Sequence, residues 1–233
     1  MNFNEETLAL AAVWYVAFLL SLTCHEAAHA LAAKIGGDPT AYEAGQVTLN
    51  PLPHIRRSPF GTVLVPLLTF YLSHFMMGWA SAPYDPRWQD RHPRRAALMA
   101  IAGPAANFLL VALSIVAIRV GIAVRFFAAP QQISFSHMVA PGAPGAAEGL
   151  ATFLSILFSL NLLLGAFNLL PVPPLDGASA VGLVMSEKVA LRFASLVRGP
   201  TFSFVGLILA WRLFEYIVSP LFRVGLAVLY WGY

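Results

Sequence analysis

The chain has 233 residues, of which 58% are hydrophobic and only 11% charged. Its mean hydropathy is +0.71. A soluble domain carries about 25% charged residues, so this composition excludes an ordinary soluble globule and points to an integral membrane protein in a lipid bilayer. The net charge of +3 is small, and no basic stretch is interleaved with aromatics, so a nucleic-acid partner has little support. Cys24 is the only cysteine, so neither an intrachain disulfide nor a multi-thiolate metal site can form.

The first apolar run extends from about Leu8 to Ile35 and is long enough to cross a bilayer. No basic segment precedes it, so it reads as a retained span rather than a signal peptide. Gly36-Gly37-Asp38-Pro39 ends it with the usual glycine and proline stop signals. Inside this run lies His25-Glu26-Ala27-Ala28-His29. The histidines are four residues apart, so a helix puts both imidazoles on one face. Two neutral imidazoles so placed can bind one zinc ion. Glu26 beside them is a candidate general base, able to take a proton from a water on the metal. Ionisable groups at membrane depth are expensive and mark function by default. The competing reading is a polar seam between spans that matches the motif by chance.

After the first span, Gln46-Val47-Thr48-Leu49 alternates polar and apolar and reads as a short membrane-associated strand, closed by Asn50-Pro51. Such a strand could pair with an extended peptide or simply connect spans. Phe60 to Gly78 is apolar but carries Arg56 and Arg57 before it and Arg87, Arg91, Arg94 and Arg95 after it. Positive residues on both flanks place both ends on one side of the membrane, which a single crossing cannot do. A re-entrant or broken segment is expected there, with an ordinary span as the alternative.

Ala96 to Ile118 is the next span and contains Gly103-Pro104-Ala105-Ala106-Asn107. Gly103 permits close helix approach. Asn107 is an uncharged amide at membrane depth, suited either to a reacting carbonyl oxygen or to holding helices together. Val120 to Leu150 reads as a loop. Ala151 to Leu170 is a further span. It leads through Asn168 into Pro171-Val172-Pro173-Pro174-Leu175-Asp176-Gly177, where three prolines in four residues interrupt the helix. Asp176 at this opening is either a metal ligand or a helix N-cap. Lys188, Arg192 and Arg198 mark a further loop, and a C-terminal apolar segment runs over 201–231.

Taken together, the pattern predicts an all-α polytopic membrane protein, a helical bundle of about four to six spans with the β segment after the first, in a single domain over 1–233 with its core at about 8–180. Ten of the fourteen Lys and Arg (Lys34, Arg56, Arg57, Arg87, Arg91, Arg94, Arg95, Lys188, Arg192 and Arg198) fall in segments assigned to the cytoplasmic side. His25, His29 and Asp176 then lie near the cytoplasmic ends of their spans.

These motifs resemble the site-2 protease family of intramembrane zinc metalloproteases. The resemblance rests on His25 to His29, on Ala102 to Asn107, and on Asn168 to Gly177, in the family's order. Gly37 to Thr40, Thr48 to Pro51 and Gly78-Trp79-Ala80 look like a compact prokaryotic branch. The family's PDZ and nucleotide-binding domains have no counterpart of sufficient length. The resemblance implies that His25, His29 and Asp176 bind one zinc ion and that Glu26 is the general base. It implies that Asn107 and Asn168 hold the substrate or its developing oxyanion, that the substrate is a transmembrane protein, and that the chain sits in a prokaryotic inner membrane. A membrane metal carrier or channel would need the same buried ligands without a base, and further ligand pairs along a path. His54, His74, His92 and His137 supply none at helical spacing. A catalytically inactive binding relative is disfavoured by the complete His, Glu, His and Asp set. The residues carry no signal for oligomeric state.

Overall fold

The structure is a computed structural model that describes residues 4–197 and 199–232; Arg198 of the basic loop lies outside the described residues. The first helix, α1 (Glu5–Gly36), starts where the Asn4 side chain accepts from the Thr7 amide at 2.9 Å, with Glu5 and Glu6 in the first turn. It ends with Lys34 in the last turn and Gly37 in the left-handed region at φ 98°. Both ends therefore suit the helix dipole and the free backbone groups there. Its 32 residues span about 48 Å.

Two short helices follow, α2 (Thr40–Glu43) and α3 (Pro51–Arg57). The stretch Gln46 to Leu49, expected as a strand, is an irregular bend instead. A strand needs a partner for its backbone, and here side chains take that role. Thr48 Oγ1 accepts from the Asn50 amide at 3.0 Å, and His54 Nε2 bonds the Thr48 carbonyl at 3.1 Å. The β structure lies elsewhere, as β1 (Phe127–Ala128) antiparallel to β2 (Ala140–Pro141), after the second long helix rather than the first.

Phe60–Leu64 is a π-helical turn that runs into α4 (Val65–Ser73). At His74 the backbone turns through the left-handed region (φ 56°). The chain then doubles back, so that the Trp79 amide donates to the Gly61 carbonyl at 3.1 Å. Gly61 and Gly78 are required by this close return, because a Cβ at either would meet the opposing backbone. Both ends of the segment thus lie together. Its fourteen helical residues reach only about 21 Å, short of a bilayer core of about 30 Å.

After α5 (Pro86–Arg91) come α6 (Pro93–Ala123) and α7 (Ala146–Asn168), then α8 (Asp176–Ala180), α9 (Glu187–Val197) and α10 (Pro200–Leu229). By length and composition α1, α6 and α7 can each cross a membrane; a fourth crossing arises if the bent pair Glu187–Leu196 and Thr201–Phe214 is one span. With that fourth crossing the count meets the lower end of the four to six expected, and the 60–73 helix is too short to add another. The chain is an all-α integral membrane protein, and α1, α6 and α7 pack on one another as its core.

Trp14, Phe18, Leu22, Met76, Ile156 and Leu160 form one apolar cluster between α1, α7 and the doubled-back segment. Val111, Ile118, Phe127, Met138, Phe158 and Leu229 form another at the far end of α6 and α7. At the opposite end, α1 is tied to α6. Trp88 Nε1 and Arg95 Nη1 both donate to the Gly36 carbonyl at 3.1 Å, and Asp38 accepts from the Asp85 amide at 2.8 Å. This end-to-end clamp sets the register that brings His29 beside the first turns of α6.

Candidate metal centre

His25 and His29 sit one turn apart on α1, both buried, with Nε2 atoms 2.9 Å from each other. At that distance either one Nε2 carries a proton and donates to the other, or both lone pairs face a shared cation. Their other nitrogens decide the matter. His29 Nδ1 faces the Met99 carbonyl at 2.7 Å, and a carbonyl can only accept, so that nitrogen carries a proton. His25 Nδ1 faces Asn107 Oδ1 at 2.6 Å. With both Nδ1 atoms donating, the neutral rings present Nε2 lone pairs to the same point.

Asp176 closes the arrangement from a separate part of the chain. The proline-rich segment after α7 cannot continue a helix, and the chain re-enters at α8 with Asp176 as its first residue. Leu175, not Asp176, is the N-cap, and Asp176 makes no capping bond. Its Oδ2 lies 3.1 Å from His25 Nε2 and 3.3 Å from His29 Nε2, is buried, and has no hydrogen-bond donor. Three acceptor atoms therefore converge within 4.8 Å. Ligand atoms around a tetrahedral zinc ion stand about 3.3 Å apart, so the donor set fits one such cation. Among the described residues it is the only group of three His, Cys, Asp or Glu side chains so placed.

The floor of the site is Gly103. A Cβ there would lie 2.6 Å from His25 Nε2 and closer still to His29 Nε2. The backbone of α6 thus packs directly on the two imidazoles, a closeness only glycine permits. Glu26 is buried on α1, next to His25 in the chain.

The two asparagines differ. Asn107 is fully buried, and both of its amide atoms are engaged, Oδ1 with His25 and Nδ2 with Asn161 Oδ1 at 2.7 Å. It faces the ring behind the converging nitrogens rather than an open cleft. Asn168 is partly buried and donates from Nδ2 to the Leu164 carbonyl of its own helix at 3.0 Å. Residues that the motif reading passed over are Met99, Asn161 and Ser21. A backbone carbonyl leaves no mark in a sequence, but Asn161, in the middle of the apolar run of α7, was a visible signal.

Comparison with known proteins agrees with this geometry. The family model for Peptidase family M50 matches residues 13–211. The chain is 30% identical to the "Putative zinc metalloprotease YwhC" of Bacillus subtilis (strain 168) over 221 residues, 94% of this chain and 89% of that protein. It is also 30% identical over 164 residues to the "Putative zinc metalloprotease Rip2" of Mycolicibacterium smegmatis, covering 70% of this chain and 54% of the relative. No solved structure matches. The family model's coverage of most of the chain, its three motif segments included, makes the protein a member of the M50 peptidases, the site-2 protease family.

Proposed function

We propose that this chain is an intramembrane zinc endopeptidase that hydrolyses peptide bonds in or near transmembrane segments of other membrane proteins. His25, His29 and Asp176 would hold a single zinc ion. The observation that carries this reading is the convergence of two imidazole lone pairs and one donor-less carboxylate oxygen beside a buried glutamate. Bound there, zinc supplies Lewis acidity toward a scissile carbonyl and toward water.

The chain's own residues divide the remaining work. Glu26 takes the proton from the attacking water and delivers it to the leaving amine. Asn107 holds the His25 ring in the orientation that presents Nε2. That role is proposed in place of direct contact with the oxyanion, because the amide is fully buried and both of its polar atoms already face protein groups. Asn168 keeps an amide oxygen for the substrate, at the point where α7 opens. Gly103 keeps the space against the rings clear.

The site's depth supports access from the basic end. His29 and His25 lie seven and eleven residues from Gly36, about 10 and 16 Å along α1. Lys34, Arg94 and Arg95 mark that end, which the charge rule assigns to the cytoplasmic face of a prokaryotic inner membrane. Residues 1–233 act as one domain in this reading.

The test is Glu26→Gln in purified protein reconstituted in bilayers, with metal content and cleavage of single-pass transmembrane peptides measured side by side. The variant should keep about one zinc per chain and lose at least about 10²-fold in cleavage. Cleavage at the wild-type rate would overturn the assignment. A metal carrier would instead keep its flux.

A further inference from the structure

A histidine ligand works only if the correct nitrogen carries the proton. His29 has this settled locally by the Met99 carbonyl. His25 does not, because its Nδ1 faces a side-chain amide, and an amide can turn over and offer a donor instead. We propose that Asn161 on α7 is a positioning residue that dictates the tautomer of His25, through a one-way hydrogen-bond chain anchored on the Leu157 carbonyl. The proposal rests on reading His25 as a metal ligand.

The direction of each bond follows from elimination. The Leu157 carbonyl can only accept, so the Asn161 atom 2.7 Å from it is Nδ2. The second hydrogen on that nitrogen goes to Ser21 Oγ at 2.8 Å. Ser21 has already given its own hydrogen to the Ala17 carbonyl at 2.6 Å, so it can only accept from Asn161. Asn161 therefore turns Oδ1 toward Asn107. The Asn107 atom 2.7 Å away must donate, which makes it Nδ2. Asn107 Oδ1 is then left facing His25, and His25 must donate from Nδ1. The lone pair falls on Nε2, where Asp176 and His29 converge.

The chain crosses α1, α6 and α7 and is sealed. Ser21, Asn107 and Asn161 are all 0% exposed, so no water competes to reverse a link. Reversing the Asn161 amide would set two oxygens against each other at Leu157 and strand the Asn107 amide group. Outer-shell partners of this kind are worth 10–100-fold in metal affinity. Ordinary interhelix hydrogen bonding would hold the spans together equally well but would leave the His25 proton unaffected.

The experiment uses the full chain with ¹⁵N-labelled histidine in bilayers at alkaline pH, zinc-loaded and zinc-stripped, with zinc affinity measured by chelator competition. In the wild type His25 should carry its proton on Nδ1. Asn161→Leu should give a mixture of tautomers at His25, leave His29 unchanged, and weaken zinc binding 10–100-fold. Ser21→Ala keeps the Leu157 anchor and should leave His25 as in the wild type. A bare Nδ1 on His25 in the wild type would overturn the proposal without any variant needing to fold. So would an Asn161→Leu protein with an unchanged tautomer and zinc affinity within threefold, or a changed tautomer in Ser21→Ala. A wild type with the proton on Nδ1 that takes up no zinc would defeat the metalloprotease reading while the relay stands.

Discussion

Gly103→Ala is the sharpest perturbation of the site, because it adds one methyl group and removes no ligand. An ordinary carbon–nitrogen contact is about 3.4 Å, judged by the usual packing distances. The new Cβ would sit 2.6 Å from His25 Nε2 and nearer to His29 Nε2, so the overlap is close to 1 Å on two rings at once. Metal–ligand distances tolerate only about ±0.2 Å. Neither ring can retreat freely, since each is held from behind at Nδ1 by Met99 or Asn107. Either the rings turn away or α6 moves off α1. Helix propensity works in the opposite direction, favouring alanine by roughly 1 kcal/mol, so loss of function with an intact helix content would locate the effect at the rings. Zinc per chain should fall from about one to near zero and cleavage should disappear, as read by metal analysis and a transmembrane-peptide assay on the same preparation. A Gly103→Ala protein that keeps a full equivalent of zinc would show that α6 does not pack on the ligands as described.

Other expectations follow from particular contacts. Asp176→Asn removes the charge of the proposed third ligand while keeping its shape, and zinc content after dialysis should drop sharply; retention would remove Asp176 from the ligand set. Gly78→Ala sets a Cβ 2.6 Å from Phe18 Cζ and against the Gly61 carbonyl, so thermal unfolding should shift by about 1–3 kcal/mol of destabilisation. The carboxyl of Asp38 is pushed up by burial, but the Thr40 hydroxyl and the Asp85 and Thr40 amides outweigh this and hold it below its ordinary 3.8. That stabilisation is complete above the ordinary value and is lost as pH falls through the lowered one. Asp38→Asn should therefore cost about 1.5–3 kcal/mol at neutral pH, with the gap to wild type closing below about pH 4 in denaturation curves.

The long apolar helices were legible because hydropathy over some twenty residues is a strong signal and the bilayer leaves few alternatives. The pairing of His25 with His29 was legible because helical periodicity alone puts them together. Arginines on both flanks of 60–78 pointed to a re-entrant or broken segment, and the Trp79–Gly61 bond closes a segment that doubles back. The strand at 46–49 was misread because four alternating residues do not make a strand without a partner, and Thr48, Asn50 and His54 satisfied the local backbone first. The two-residue strands at 127–128 and 140–141 are too short to leave a pattern. Asn107 was visible as a polar group at membrane depth. Its direction was not, because which way an amide points depends on the register of α1, α6 and α7, and that register is set by long-range ties such as Trp88 and Arg95 on Gly36.

Charge balance explains why an apolar bundle tolerates this cluster. Asp176 and Glu26 bring two carboxyl groups into a setting where an isolated ion is costly. In the proposed site, a divalent cation held by two neutral imidazoles and Asp176 would leave one positive charge, which a carboxylate at Glu26 would offset. The filled site would then be close to neutral overall. Because the imidazoles must stay neutral to contribute lone pairs, protonation of either ring works against both the ion and the balance. The buried amides of Asn107 and Asn161 add hydrogen bonds without adding charge. They fix the His25 ring without a carboxylate behind it, which would have given the site a net negative charge. An uncharged outer shell is thus the arrangement that orients a ligand at membrane depth while keeping the centre neutral.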